Sequence, residues 1–409
     1  MANLRTPTWM YPRAVVLLAT GVMTFAPLLL AEEPSQPKAQ RSQGPHMRNL
    51  RLLLPPVIPA IPGRECNLYF DNLILAPTGV ARLLEVDVDC PKGQQQTERF
   101  TWTPKPDEVG DFPLSITFTG PDGDVWAAGK TTLRVFPADV GRGKAATLLI
   151  VGDSGTHANV YPAELLELCK GDPNPALTEM GTFIPNPALP RVRHEGYGGW
   201  SAATFLTLWG AAGWNAATHR GRSPFLYEKN GRPALDFQEY CNENNGGKGP
   251  DVILIWLGGN DHFSATDDTI EASCDRFETN LDVLITEFHR VRPDTLIGIV
   301  TMLPPAATQD GFGANYGCGQ TRWQYRRNQH RTVEREYAKW GDQQARNIHV
   351  VPGFVNLDTV HGYPAVTGPA NARADIQISR GCNGLHSTNG GYKQLADTIY
   401  CWLKGQMAP

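Results

Sequence analysis

Basic charge is scarce in this chain. Its 37 Lys and Arg residues stand against 41 Asp and Glu, a formal net charge of −4, and charged residues make up only 19% of 409 positions. No basic patch of the kind that tracks a phosphate backbone is present, which excludes nucleic acid as a partner. Long hydrophobic runs are also missing beyond the first 31 residues, so no membrane-spanning helix is expected there. The eight cysteines (Cys66, Cys90, Cys169, Cys241, Cys274, Cys318, Cys382 and Cys401) follow no zinc-ligand spacing, and no metal or organic cofactor is expected. No internal repeat stands out, which argues against a solenoid.

What is present begins with export. Arg5 and Arg13 precede an apolar run from Ala14 to Ala31, followed by Glu32-Glu33-Pro34. This is the layout of a signal peptide over residues 1–31. An uncleaved anchor is the alternative, and Gly21 and Pro27 within the run favour cleavage. The expected location is therefore secreted or periplasmic, with no stable membrane insertion after cleavage. Plentiful glycine and proline suit a loop-rich exported protein, and eight cysteines, an even number, permit disulfides. Cys66 with Cys90 is the expected pair.

Residues 32–55 lack periodicity and read as a flexible linker. Residues 56–138 then show short alternating runs. Phe112, Leu114, Ile116 and Phe118 share one strand face, and Pro121-Asp122-Gly123 marks a turn. A small all-β sandwich is expected. From residue 145 to 405 the period changes again. Strand-like runs at 146–151, 191–194, 251–257, 296–302 and 348–351 alternate with helical patterns, the clearest carrying Ile270, Cys274, Phe277, Leu281, Leu284 and Phe288 on one face. That alternation predicts an α/β fold, a three-layer α/β/α sandwich around a parallel sheet.

In such a sheet, loops after the strand ends converge on one crevice. Four of them carry chemistry. Gly152-Asp153-Ser154 ends the first strand and presents a hydroxyl. Glu195-Gly196-Tyr197-Gly198-Gly199-Trp200 lets backbone N–H groups approach a ligand. Gly258-Gly259-Asn260-Asp261 ends the most apolar strand. Asn383-Gly384-Leu385-His386 precedes a terminal helix. Together they supply a nucleophile, a base and oxyanion donors, the requirements of acyl transfer.

These four segments, in this order, resemble the motif blocks of the SGNH hydrolases, the GDSL-type esterases and lipases. The resemblance covers about residues 145–403 and implies a flavodoxin-like fold. It implies Ser154 as nucleophile and His386 as general base. The implied oxyanion donors are the Ser154 and Gly199 backbone N–H groups and the Asn260 side chain, with Gly198 the rival for Gly199. Asp153 and Asp261 are expected to hold loop amides.

The family pattern breaks at one position. Where it has an aspartate three residues before the histidine, this chain has Asn383. Asparagine offers a carbonyl oxygen to the imidazole but no negative charge. Asn383 as orienting residue, a backbone carbonyl or Asp375 in its place, and a disabled site all remain open. Tyr197, Trp200, His262 and Phe263 are expected to bind substrate, with Tyr316 and Trp323 bordering the crevice. The expected activity is removal of O-acetyl groups from poly- or oligosaccharides. The alternatives are a short-chain lipid or ester hydrolase, or a non-catalytic glycan-binding protein.

Overall fold

Leu148, Leu149, Ile150 and Val151 are completely buried, and this run forms the middle of the strand Ala145–Gly152. In the computed structural model, which describes residues 50–76, 83–210, 221–313 and 316–408, that strand lies inside a parallel sheet. The order across the sheet is Ala176–Met180, Ala145–Gly152, Val252–Trp256, Leu296–Val300, Ile348–Val351, with every pair parallel. A two-residue strand, Glu195–Gly196, pairs with Val151 and Gly152 beyond the end of Ala176–Met180.

Alternation along the strands builds three layers. Leu148, Ile150 and Leu254 face a core with Leu165 of the helix Val160–Leu168 and Leu395, Ile399 and Trp402 of the helix Asn389–Gln406. Leu149, Val151, Ile253 and Ile255 face the opposite core, with Leu281, Leu284 and Phe288 of the helix Ile270–Val291. The three-layer expectation holds. Among the described residues, no helix is long and apolar enough to cross a membrane.

Two elements differ from expectation. Residues 191–194 form no strand; only His194 bridges, to Phe183, and the edge strand is Ala176–Met180. Its polar Thr178 and Glu179 hide it from a search for apolar runs. Glu179 is buried, its Oε2 accepting the Arg193 N–H at 3.0 Å. The second difference is the 19-residue helix Arg322–Trp340, which carries Trp323 and buries a polar face. Arg326 donates to the carbonyls of Asp71, Asn72 and Ile74; Asn328 donates to those of His262 and Ala265; Gln329 donates to that of Met302. For these three side chains, segments distant in the chain supply the acceptors that burial requires.

Among the described residues, the β-rich segment has two sheets of more than two strands. One orders Val57–Ala60, Val125–Val135, Gly110–Thr119 and Glu85–Asp89; the other orders Cys66–Tyr69, Arg99–Trp102 and Gln94–Gln95. Leu68, Phe100, Ile116, Phe118 and Leu133 form their core, joined by Val333, Phe354 and Val355 from the α/β part. The signal peptide expected at 1–31 lies outside the described residues, as does 32–49 of the expected linker. Residues 50–55 correct that linker: Leu53 is buried, Arg51–Leu52 pairs with Ile74–Leu75, and Thr131 donates to the Pro55 carbonyl. Four leucines at 50 and 52–54 give this stretch apolar surface to bury. All eight cysteines are free thiols, so the expected Cys66–Cys90 bridge is not formed; both side chains pack in the one apolar cluster.

Candidate active site

The first strand stops where a side chain would collide. A Cβ at Gly152 would lie 1.9 Å from Thr156 Oγ1, so glycine is required at the turn. Asp153 then caps the single-turn helix Ser154–His157, its carboxylate accepting the Gly155 N–H at 2.9 Å. This sets the half-buried Ser154 at the carboxyl edge of the sheet. His386 arrives from the turn that leads into the helix Asn389–Gln406, 232 residues along the chain. Its Nε2 lies 2.8 Å from Ser154 Oγ, within reach for direct proton transfer.

Behind the imidazole the arrangement departs from expectation. Asn383 Oδ1 accepts two backbone N–H groups, from Leu385 at 3.0 Å and His386 at 2.9 Å. It is Asn383 Nδ2 that faces His386 Nδ1, at 3.3 Å, and the Tyr316 hydroxyl lies closer at 3.1 Å. The expectation that the Asn383 carbonyl accepts from the ring is therefore corrected, because the turn's own amides claim that oxygen. Asp375 is exposed between the strands Ala365–Pro369 and Gln377–Gly381, and neither it nor a backbone carbonyl is among the partners of His386 Nδ1.

Asn260 follows Gly258, whose φ of 108° turns the chain out of the sheet. Its Nδ2 donates to the Trp200 carbonyl at 2.8 Å and approaches Asp153 Oδ2 at 3.4 Å. One strap thus ties the second and third loops to the serine turn. The Gly198 N–H donates to His157 Nδ1 at 3.4 Å, while Gly199 is exposed with φ 82°. Asp261 accepts the Ala202 N–H at 3.1 Å, the loop-holding part expected for it.

Protonation follows from burial. Desolvation holds His386 below the usual imidazole range, so the neutral base is present at pH 7. Ser154, Tyr316 and Asn383 are the side chains bonded to its ring, and the acids of the adjoining loops are Asp153 and Asp261. Burial pushes Asp153 up to about 7 and Asp261 up to about 6. A neutral base is lost as pH falls, so ester turnover is expected to drop along an acid limb centred below 6.5, the ordinary imidazole value. A second step near 7 reports Asp153 beside Asn260, and Asp153→Asn should remove that step alone. A kcat/KM profile from pH 4.5 to 9 reads both.

The cleft over Ser154 and His386 encloses about 190 Å³. Asn260, Phe263, Met302, Leu303, Tyr316, Tyr325 and Leu385 contribute to its walls. Of the four expected substrate residues only Phe263 lines it. Tyr197 and Trp200 belong to the core under the second loop, their rings 4.3 Å apart. His262 is fully buried, its Nδ1 paired with Ser273 Oγ at 2.9 Å, and desolvation lowers its pKa to about 4. Nearness in sequence to site residues suggests access for these three, but each is buried beneath the loop. Trp323 stacks under Arg327 on its helix and is not among the cleft residues. Sequence reading missed Met302, Leu303 and Tyr325. The first two follow a strand's carboxyl end, a signal that could have found them; Tyr325 sits on the polar helix that periodicity did not reveal.

Residues 148–399 match the family model described as GDSL-like Lipase/Acylhydrolase, more than half of the chain. The chain belongs to that family. It is a carboxylic ester hydrolase of the GDSL, or SGNH, type. None of the curated proteins matches the sequence. Similar solved structures include a Clostridium thermocellum family 3 carbohydrate esterase, 19% identical, covering 65% of this chain and 100% of its own, with TM-score 0.38. An acetyl esterase variant solved with acetate ion is 13% identical, covering 64% and 97%, with TM-score 0.37. An acetyl-xylooligosaccharide esterase from Geobacillus Stearmophilus is 16% identical, covering 64% and 94%, with TM-score 0.31.

Proposed function

We propose that this GDSL hydrolase is an exported serine esterase that removes O-acetyl groups from poly- or oligosaccharides. Ser154 Oγ attacks the acyl carbonyl as His386 Nε2 takes its proton. The Ser154 and Gly199 N–H groups and Asn260 Nδ2 hold the resulting oxyanion. Collapse expels the sugar alcohol, which leaves with the proton from His386, and water then hydrolyses the acyl-enzyme by the reverse roles.

The carrying observation is the 2.8 Å contact between Ser154 and His386 inside a cleft of only about 190 Å³. Pockets for drug-sized ligands run to roughly 300–1,000 Å³, so this one suits a short acyl group. Met302, Leu303 and Leu385 offer it apolar walls, and the half-buried Phe263 and Tyr316 offer rings on which a sugar can lie. Export rests on the signal-like layout of residues 1–31, with a secreted or periplasmic location.

One observation favours a second reading, hydrolysis of lipid or aggregated esters. Val360, Val366, Ile376 and Ile378 are exposed on and beside the hairpin that leads into the His386 turn. Acetate release from acetylated xylan, set against hydrolysis of 4-nitrophenyl acetate and a 16-carbon ester in micelles, decides between them. Preference for acetylated xylan supports the proposal; faster turnover of the micellar ester overturns it.

A further inference from the structure

To accept the Ser154 proton at Nε2, His386 must carry its own ring proton on Nδ1. That Nδ1–H needs an acceptor. Two side-chain atoms approach it, Tyr316 Oη at 3.1 Å and Asn383 Nδ2 at 3.3 Å. An amide nitrogen carries two hydrogens and offers no lone pair, so Asn383 cannot accept as it stands. Turning its amide over does not help. Oδ1 already accepts the Leu385 and His386 N–H groups, and a reversed amide would set Nδ2 against both donors. A phenol oxygen, in contrast, both donates and accepts.

We propose that Tyr316 is the positioning residue of this site: its Oη accepts from His386 Nδ1–H and so supports the tautomer whose Nε2 lone pair faces Ser154. The inference rests on the acyl-transfer reading of Ser154 and His386. Asn383 then acts against it. Its Nδ2–H can donate to an unprotonated Nδ1, which favours the opposite tautomer, with the proton on Nε2 and no base facing the serine. Asn383 therefore opposes the working tautomer, and the hydroxyl of Tyr316 is the side-chain acceptor beside Nδ1 that permits it. Sequence spacing could not show this, because Tyr316 lies 70 residues from His386 in an irregular glycine-rich loop.

Four proteins test the proposal: wild type, Tyr316→Phe, Asn383→Asp and the double variant. An aspartate at 383 keeps an oxygen for the two backbone N–H groups and turns its second oxygen to Nδ1, replacing the competitor with a charged acceptor. Each protein is assayed with 4-nitrophenyl acetate across pH. The His386 tautomer is read separately by two-bond ¹H–¹⁵N NMR of histidine-labelled protein at pH 8, and thermal unfolding monitors the fold.

Tyr316→Phe is expected to lower kcat by about 10- to 100-fold, the worth of one hydrogen bond to a group that becomes charged, with KM within about twofold. The NMR signature should move from Nδ1-protonated toward Nε2-protonated. Asn383→Asp should raise kcat above wild type, and in that background Tyr316→Phe should cost no more than about threefold. The proposal is overturned if Tyr316→Phe leaves the tautomer unchanged, or if the double variant is as impaired as Tyr316→Phe alone, which is what a merely structural tyrosine predicts. The two readings fail separately. A wild type without ester turnover sinks acyl transfer, while the tautomer shift still decides the part played by Tyr316.

Discussion

Ser154→Ala is expected to lower ester turnover by on the order of 10⁵-fold or more while the protein remains folded, as loss of the nucleophile does in other serine hydrolases. The expectation follows from what the hydroxyl touches. Ser154 Oγ is half-buried, and its hydrogen bond is to His386 Nε2. The turn that presents it is held by other groups: the Asp153 cap on Gly155, and Thr156 Oγ1 paired with the Tyr161 hydroxyl at 2.8 Å. Deleting one oxygen at the sheet edge leaves those contacts intact. Mass spectrometry of wild type quenched during turnover should show an acetyl group on the peptide containing Ser154, and Ser154→Ala should show none. Residual turnover near the wild-type rate in the alanine variant would remove Ser154 as nucleophile.

Asn260→Ala carries the next largest expected effect, about 10²- to 10³-fold in kcat, or roughly 2.7–4 kcal/mol of transition-state stabilisation. KM should change little, since the oxyanion develops only after substrate is bound. The side chain also has a structural part, because its Nδ2 donates to the Trp200 carbonyl. Two measurements separate the roles. A donor to the oxyanion shows in kcat with melting temperature nearly unchanged. A strap between loops shows as a lowered melting temperature with a kcat loss that follows the fraction folded. Asn260 is exposed, so the first pattern is expected. A loss confined to stability would take Asn260 out of the oxyanion site.

Legibility of the site in the sequence varied with the kind of information a residue carries. Ser154, Asn260 and His386 stand at abrupt changes of pattern, where an apolar strand or a helix meets glycine and polar residues, and such breaks are visible locally. The Asn383 departure was equally plain. Its consequence was not, because which atom of an amide faces a ring depends on what the other atom is bonded to, here two backbone N–H groups. Tyr197, Trp200 and His262 show the opposite failure. Their closeness in sequence to site residues suggested access, but a loop has two sides, and these three rings fill the space beneath it.

The polar helix Arg322–Trp340 is a further case. Its buried Arg326, Asn328 and Gln329 break the apolar stripe by which a core helix is recognised. What makes their burial tolerable is the supply of carbonyls from Asp71, Asn72, Ile74, His262, Ala265 and Met302, all of them distant from the helix in the chain. The same helix brings Tyr325 to the cleft.

From the linear order of residues came the period-two and 3.6-residue patterns, and with them the layered α/β architecture and the serine, imidazole and amide that the candidate site brings together. Those features are local or repeat at short intervals, so neighbouring residues suffice to reveal them. Folding alone decided which side of each loop meets solvent, how large the cleft is, and which oxygen stands behind the imidazole. The physical reason is that burial and hydrogen-bond partnership are properties of atoms brought together from far apart in the chain, and a single strand of text carries no distances between them.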